Sequence, residues 1–270
     1  MLVICLFALN NSARSQNKPP LKKYKLKQEV FPYQLGDTTV KIVVNKTLPA
    51  VSKFVYFNMH DNENTAVEAT NEIIKKYGGT LIELQNDGKR LIKFSVKDEQ
   101  FTIDPNRIFT NDGIVKTLKN NGEYTIEAEK ETNKFAAKLK DFLKNVRLVI
   151  AVHNNTDENY SIKSYEKDGE FEMDAKLVNI NLETDVDDFF FVTDKNIFKF
   201  LKEKNQNVAL QDNVNVTDDG SLSVYSGNHK IPYINVEGEH GHLTEQIKML
   251  ELLQEVTKDF SRVKRKARRR

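Results

Sequence analysis

Histidine is scarce in this chain, with five among 270 residues, and two of the five close apolar runs. His60 comes at the end of FVYFNM, His153 at the end of RLVIAV, and Glu237 at the end of YINV. Two histidines and one glutamate are a ligand set that zinc uses in hydrolases, where a further coordination position stays open for water. His60 and Glu63 stand three apart on what reads as a loop and can turn toward one ion, while His153 can arrive from a neighbouring strand. A zinc ion in that position lowers the pKa of water, and a carboxylate beside it can take the proton. Glu237 is the candidate for that general base, later returning the proton to a leaving nitrogen.

A second group of residues could hold a substrate. FTIDPNRIFT (101–110) places Asn106 and Arg107 in a turn set by Pro105. An arginine held there makes a bidentate clamp for a carboxylate, with the asparagine amide beside it. Asn154 and Asn155 follow His153 directly, where their amides could face a substrate. Other stretches read more plainly. GEHGHLTE (238–245), with His240 and His242, is a polar loop before a helix rather than a second metal site. ETDVDD (183–188) lacks the spacing of a calcium loop and reads as a solvated acidic turn. Gly78-Gly79 carries no phosphate-loop pattern, and no serine sits in a nucleophile elbow.

These side chains need a scaffold that brings the ends of distant runs together. VKIVV (40–44), FVYFN (54–58), TLIEL, RLIKFSV, FTI (101–103), DFFFVT and YINV read as strands from their β-branched and aromatic content. RLVIAV (147–152) is almost continuously apolar, as a strand buried on both faces should be. ENTAVEATNEIIKKYGG predicts a helix stopped by its glycines. A second helix is expected over 126–145, with Phe135, Leu139, Phe142 and Leu143 along one side, and a last one from Leu243 to about Phe260. Alternating strands and helices predict an α/β single domain with a mixed, largely parallel central sheet flanked by helices. Sites in such sheets lie at the carboxyl ends of the strands, where His60, His153 and Glu237 fall.

Composition bounds the rest. Lys and Arg nearly balance Asp and Glu, giving a net charge of +2, which argues against a nucleic-acid partner. A 39% hydrophobic fraction with 16 Phe and 9 Tyr can fill a large core. LVICLFAL near the start suits the apolar part of a secretory signal, followed by small residues at Ala13 and Ser15, so residues 1–15 are expected to be a signal peptide and the protein exported, periplasmic or extracellular. The single cysteine, Cys5, lies within that segment. The prolines and lysines that follow predict an exposed linker over 16–38, with the ordered domain over 39–262. VKRKARRR ends the chain as a basic tail (263–270), solvated or touching an anionic envelope surface.

HDNE at 60–63, DPNR at 104–107, a strand ending in His153 and a strand ending in Glu237 together resemble the zinc carboxypeptidase superfamily. That superfamily includes deacylases of the succinylglutamate desuccinylase and aspartoacylase kind. The resemblance runs from about Val40 to the last helix. It implies one zinc ion held by His60, Glu63 and His153, a carboxylate-binding pair in Asn106 and Arg107, and Glu237 as the catalytic glutamate. It also implies an arginine that polarises the scissile carbonyl, for which Arg90 is the candidate. Tyr225 is the candidate for the tyrosine of the mobile specificity loop. In the peptidases a serine usually follows the third ligand, and here Asn154 does.

The expected activity is therefore that of an exported zinc carboxypeptidase cutting an amide next to a free carboxylate, on peptidoglycan or small peptides. The alternatives are a zinc deacylase of N-acyl amino acids or conjugates, and a non-catalytic module that binds a carboxylate-bearing peptide.

Overall fold

A computed structural model describes residues 24–48, 53–156 and 160–261. The expected signal peptide and basic tail lie outside the described residues. Among these residues, nine strands form one mixed sheet in the order β1-β2-β4-β3-β7-β11-β9-β10-β8. Its centre is parallel: β3 (Phe54–Asn58) pairs with β4 (Thr80–Gln85) and β7 (Leu148–Asn155), and β7 pairs with β11 (Tyr233–Glu239). On one flank β2 (Thr38–Thr47) and β1 (Leu26–Leu35) add antiparallel. On the other, β9 (Phe189–Val192) runs antiparallel to β11, followed by β10 (Val208–Gln211) and β8 (Ala175–Asn179). The sheet is parallel where the site lies and antiparallel toward its edges. The expected α/β class holds.

Helices cover both faces because β3 and most of β7 are buried on both sides. On one face α1 (Asn64–Tyr77), α4 (Lys195–Glu203) and α6 (Leu243–Ser261) pack Ala69, Ile73, Phe198, Leu250 and Leu253 against Tyr56, Ile150 and Ile234. On the other, α2 (Asn111–Asn120), α3 (Ile126–Asp141) and α5 (Leu222–Asn228) pack Ile114, Phe135, Leu139 and Leu222 against Phe57, Val149 and Ala151. The expected strands RLIKFSV and FTI become β5 (Ile92–Val96) and β6 (Glu99–Ile103), but they form a separate antiparallel hairpin on this second face. α1 ends at Gly78, whose φ of 82° fits glycine, as its sequence predicts.

The stretch expected as an exposed linker contains β1. Its lysines and Pro32 are acceptable because β1 is an edge strand, much of it exposed. Its apolar residues still have partners: Phe31 packs edge-on against Phe142, Tyr33 against Phe135, and Leu35 is fully buried. Gly36 turns the chain into β2 with a φ of 55°, and a Cβ there would stand 2.1 Å from the Ser95 carbonyl oxygen, so a side chain cannot fit.

Candidate metal centre and its cavity

Register brings the site residues together. β3 and β7 pair Phe57 with Ala151, so His60 and His153 emerge at nearly the same level. β7 and β11 pair His153 with Glu237 directly. His153 and Glu237 lie inside their strands rather than just beyond them, because β7 and β11 run on to Asn155 and Glu239. Strand side chains alternate between faces, so His153 and Asn155 share one side of β7 and Asn154 points to the other.

Glu63 is the hub. Its Oε1 lies 2.7 Å from His60 Nδ1 and its Oε2 lies 2.7 Å from His153 Nδ1. Arg90 donates to Oε1 at 2.8 Å, and Asn58 Nδ2 reaches Oε2 at 3.3 Å. His60, Glu63 and His153 are 1%, 2% and 3% exposed. Behind His60, Asp104 Oδ1 lies 2.8 Å from Nε2. Burial resists charge on His60, but Glu63 and Asp104 outweigh it and push its pKa up to about 9. Burial likewise opposes ionisation of Glu63 and Asp104, and the histidines hold both carboxyls well below the usual range.

This donor set fits a divalent metal. One donor atom from each of the three residues lies within 4.8 Å of the others. The ionised Asp104 can only accept from His60 Nε2, so when the ring gives up a proton to an ion it is Nδ1, the nitrogen facing Glu63, that is freed to bind. A carboxylate behind a histidine ligand is the usual device for fixing that tautomer. Imidazole nitrogen with carboxylate oxygen suits zinc-type ions.

Glu237 lines the same cavity, which has a volume of about 780 Å³. It is 6% exposed, and burial holds its carboxyl above the ordinary range, with the Glu63 charge adding and His153 and Asn235 opposing. Asn235 Nδ2 donates to Glu237 Oε1 at 2.8 Å. Asn106 and Arg107 reach the cavity from a single 3-10 turn, Pro105–Arg107. Asn106 Oδ1 accepts from Leu222 N at 3.1 Å, and Asp104 Oδ1 accepts from Asn106 N at 2.8 Å. Arg107 donates to the Asn106 carbonyl at 3.0 Å and approaches Asp219 at 3.4 Å. Its remaining N–H groups have no partner among the described residues. Gly113 and Gly220 let this turn and the loop before α5 touch, since a Cβ on Gly113 would lie 2.1 Å from Gly220 Cα.

Two of the expected residues have other contacts in this structure. Asn154 lines the cavity with its amide already engaged: Oδ1 accepts from Ala66 N at 2.9 Å, and Nδ2 donates to Gly238 O and to Gln246 Oε1. Tyr225 stands away from the cavity. It lies on α5, half-buried between Phe109 and His229 with Lys140 over its ring, and does not line the cavity. Its segment packs on the second helical face instead. Tyr160 and Tyr165 line the cavity, sharing a hydrogen bond between their hydroxyls.

Arg90 does reach the cavity edge, 46% exposed and paired with Glu63. Asp104, Asn235, Tyr160, Tyr165 and Asp219 are the site residues that the sequence reading did not assign. Asp104 opens the DPNR motif, and Asn235 stands two before Glu237 on the same face of β11; the others carry no signal in the sequence.

No protein-family model matches the chain, and no curated protein does. Solved structures resemble it in fold. One is a candidate metallopeptidase from Shewanella baltica OS155, with TM-score 0.45 and 9% identity over 86% of this chain and 87% of that one. Another is the ectoine utilization protein EutE (DoeB) from Ruegeria pomeroyi, with TM-score 0.49 and 14% identity over 90% of this chain and 69% of that one. A third is an aspartoacylase family protein from Mesorhizobium loti, with TM-score 0.41 and 10% identity over 86% of this chain and 68% of that one. Among the described residues, no helix is long and apolar enough to cross a membrane.

Proposed function

We propose that this chain is a zinc-dependent hydrolase that cleaves an amide next to a free carboxylate, and that it works after export, on peptidoglycan stem peptides or small peptides. The observation that carries the reading is the buried His60–Glu63–His153 cluster with Glu237 as the register partner of His153. His60, Glu63 and His153 would hold the ion. When bound, it would supply Lewis acidity and lower the pKa of nearby water.

The chain's own residues account for the rest of the chemistry. Arg107, oriented by Asp219 and the Asn106 carbonyl, presents its free N–H groups to the substrate carboxylate. Asn106, its oxygen fixed to α5, has its amide N–H groups left to assist. Glu237 takes a proton from water at its carboxylate and gives it to the leaving nitrogen. Its raised pKa suits it to both halves of that transfer. Arg90, at the cavity edge, favours a carbonyl oxygen that gains negative charge.

Zinc content of the purified protein tests the reading, measured for wild type, His60→Ala and His153→Ala. About one equivalent at this centre that both substitutions remove is the expected result. A wild-type protein that binds no metal at these residues after zinc is supplied overturns it.

A further inference from the structure

The stretches ETDVDD and EHGH, each unremarkable alone, meet in the fold. β9 and β11 are antiparallel, with Glu237 opposite Phe189, so the chain entering β9 and the chain leaving β11 pass side by side. Glu239 N donates to Asp188 Oδ1 at 3.0 Å, joining the two. The exit loop is held further by His240 N to the Asn155 carbonyl and by Gly241 N to Thr65 Oγ1, both at 3.0 Å.

This places Asp185, Glu239 and His242 with one donor atom each within 4.8 Å of the others. His242 Nε2 lies 3.3 Å from Glu239 Oε2, and its Nδ1 lies 3.7 Å from Asp188 Oδ2. The cluster does not satisfy itself. His242 Nδ1 is buried without a hydrogen-bond partner. The Asp188 side chain is only 10% exposed, and its Oδ2 accepts no hydrogen bond among the described residues. At 3.7 Å, His242 Nδ1 and Asp188 Oδ2 form an ion pair too long for a hydrogen bond. Charge points the same way. Asp185, Asp188 and Glu239 have no lysine or arginine ion-pair partner among the described residues, leaving one histidine against three carboxylates.

We propose that Asp185, Glu239 and His242 form a second divalent-cation site, separate from the His60–Glu63–His153 centre, with Asp188 orienting the histidine ring through Nδ1. A carboxylate behind a histidine ligand serves that purpose in metal sites generally. One imidazole with carboxylates selects a zinc- or manganese-type ion over calcium, which takes all-oxygen shells. The ion pins the loop that leads into β9 to the end of β11, two residues beyond Glu237, and to the residue just before α6. It is therefore a structural tie beside the catalytic carboxylate, and it stands whether or not the chain proves to be a hydrolase.

The test is zinc titration of the chelated protein, followed by calorimetry, with Mn²⁺ as a second probe and Ca²⁺ as the contrast. Wild type should take about two zinc equivalents. His60→Ala should keep about one, and so should Asp185→Asn; combining them should leave none. In the His60→Ala background, Mn²⁺ should raise the thermal midpoint, and Asp185→Asn should abolish the rise. His242→Gln should behave as Asp185→Asn does; Asp185 is exposed, so its substitution gives a readout even if the histidine variant fails to fold. The proposal is overturned if His60→Ala binds no zinc or manganese, or if Asp185→Asn leaves that binding and the thermal shift unchanged.

Discussion

Asn154 Oδ1 accepts the backbone N–H of Ala66 at 2.9 Å, and so caps a helix to which it does not belong. α1 begins at Asn64 with Glu63 as its N-cap residue, but Glu63 makes no side-chain cap bond because its carboxylate is turned to the two histidines. The third N–H of the helix would go unpaired, and Asn154 on β7 supplies the missing acceptor. One residue after His153, the chain thus frees Glu63 from a structural duty. Asn154→Ala should cost about 2 kcal/mol of stability, a cap plus two lost donors, measured by urea unfolding. Zinc affinity should fall with it, because Glu63 is then drawn toward the helix terminus. Unchanged stability and affinity would show that Ala66 is capped by water equally well.

The same pair shows what sequence could and could not supply. His60, His153 and Glu237 are legible because short, mostly apolar runs lead up to them, and a buried parallel strand carries its chemistry toward its carboxyl end; Glu63 is legible by standing three residues after His60. The direction of Asn154 is not, because it depends on strand alternation continuing past the apolar run into β7's polar end. β1, β8 and β10 were missed for related reasons: two are edge strands with weak hydrophobic patterns, and the third is only four residues long. α5 is built from Ser, Gly and Asn, poor helix formers that tertiary contacts override. Tyr225 lies on it, away from the cavity. The meeting of 183–188 with 239–242 depends on β9 lying antiparallel to β11, a pairing that local pattern does not report.

Asp104 makes a prediction of its own. Its carboxylate fixes the His60 tautomer, and asparagine can still accept that hydrogen bond while losing the charge. Asp104→Asn should therefore weaken zinc binding about tenfold without unfolding the protein, and Asp104→Ala should weaken it more. Competition with a chelator measures both. Wild-type affinity in Asp104→Ala would remove the residue from the metal site.

Arg107 should act on substrate and not on metal. Substituting it with Ala removes a charge-assisted pair of hydrogen bonds, so kcat/KM for free-carboxylate peptides should fall about a hundredfold, while amidated peptides lose little. Zinc content should not change. Assaying N-acyl amino acids beside dipeptides separates a deacylase from a peptidase, since both present a carboxylate to the same clamp. An equal loss on blocked and free substrates would mean that Arg107 only supports the turn.

Glu237→Gln should separate function from stability. Turnover should fall by a factor of about a hundred or more while zinc stays bound, because glutamine keeps the shape and cannot take a proton. In the chelated protein the same change should stabilise the fold. Glu237 has a folded-state pKa raised above its usual 4.5, chiefly by burial, so its favourable share is complete below that pH and is lost as pH rises through the folded value. Wild type and variant should therefore be equally stable near pH 4, with the glutamine variant gaining as pH rises through the folded value. Urea midpoints across that range measure the gap. If the gap is absent at pH 7, the Glu237 carboxylate is not held at an electrostatic disadvantage, and the proton-transfer role assigned to it loses its physical basis.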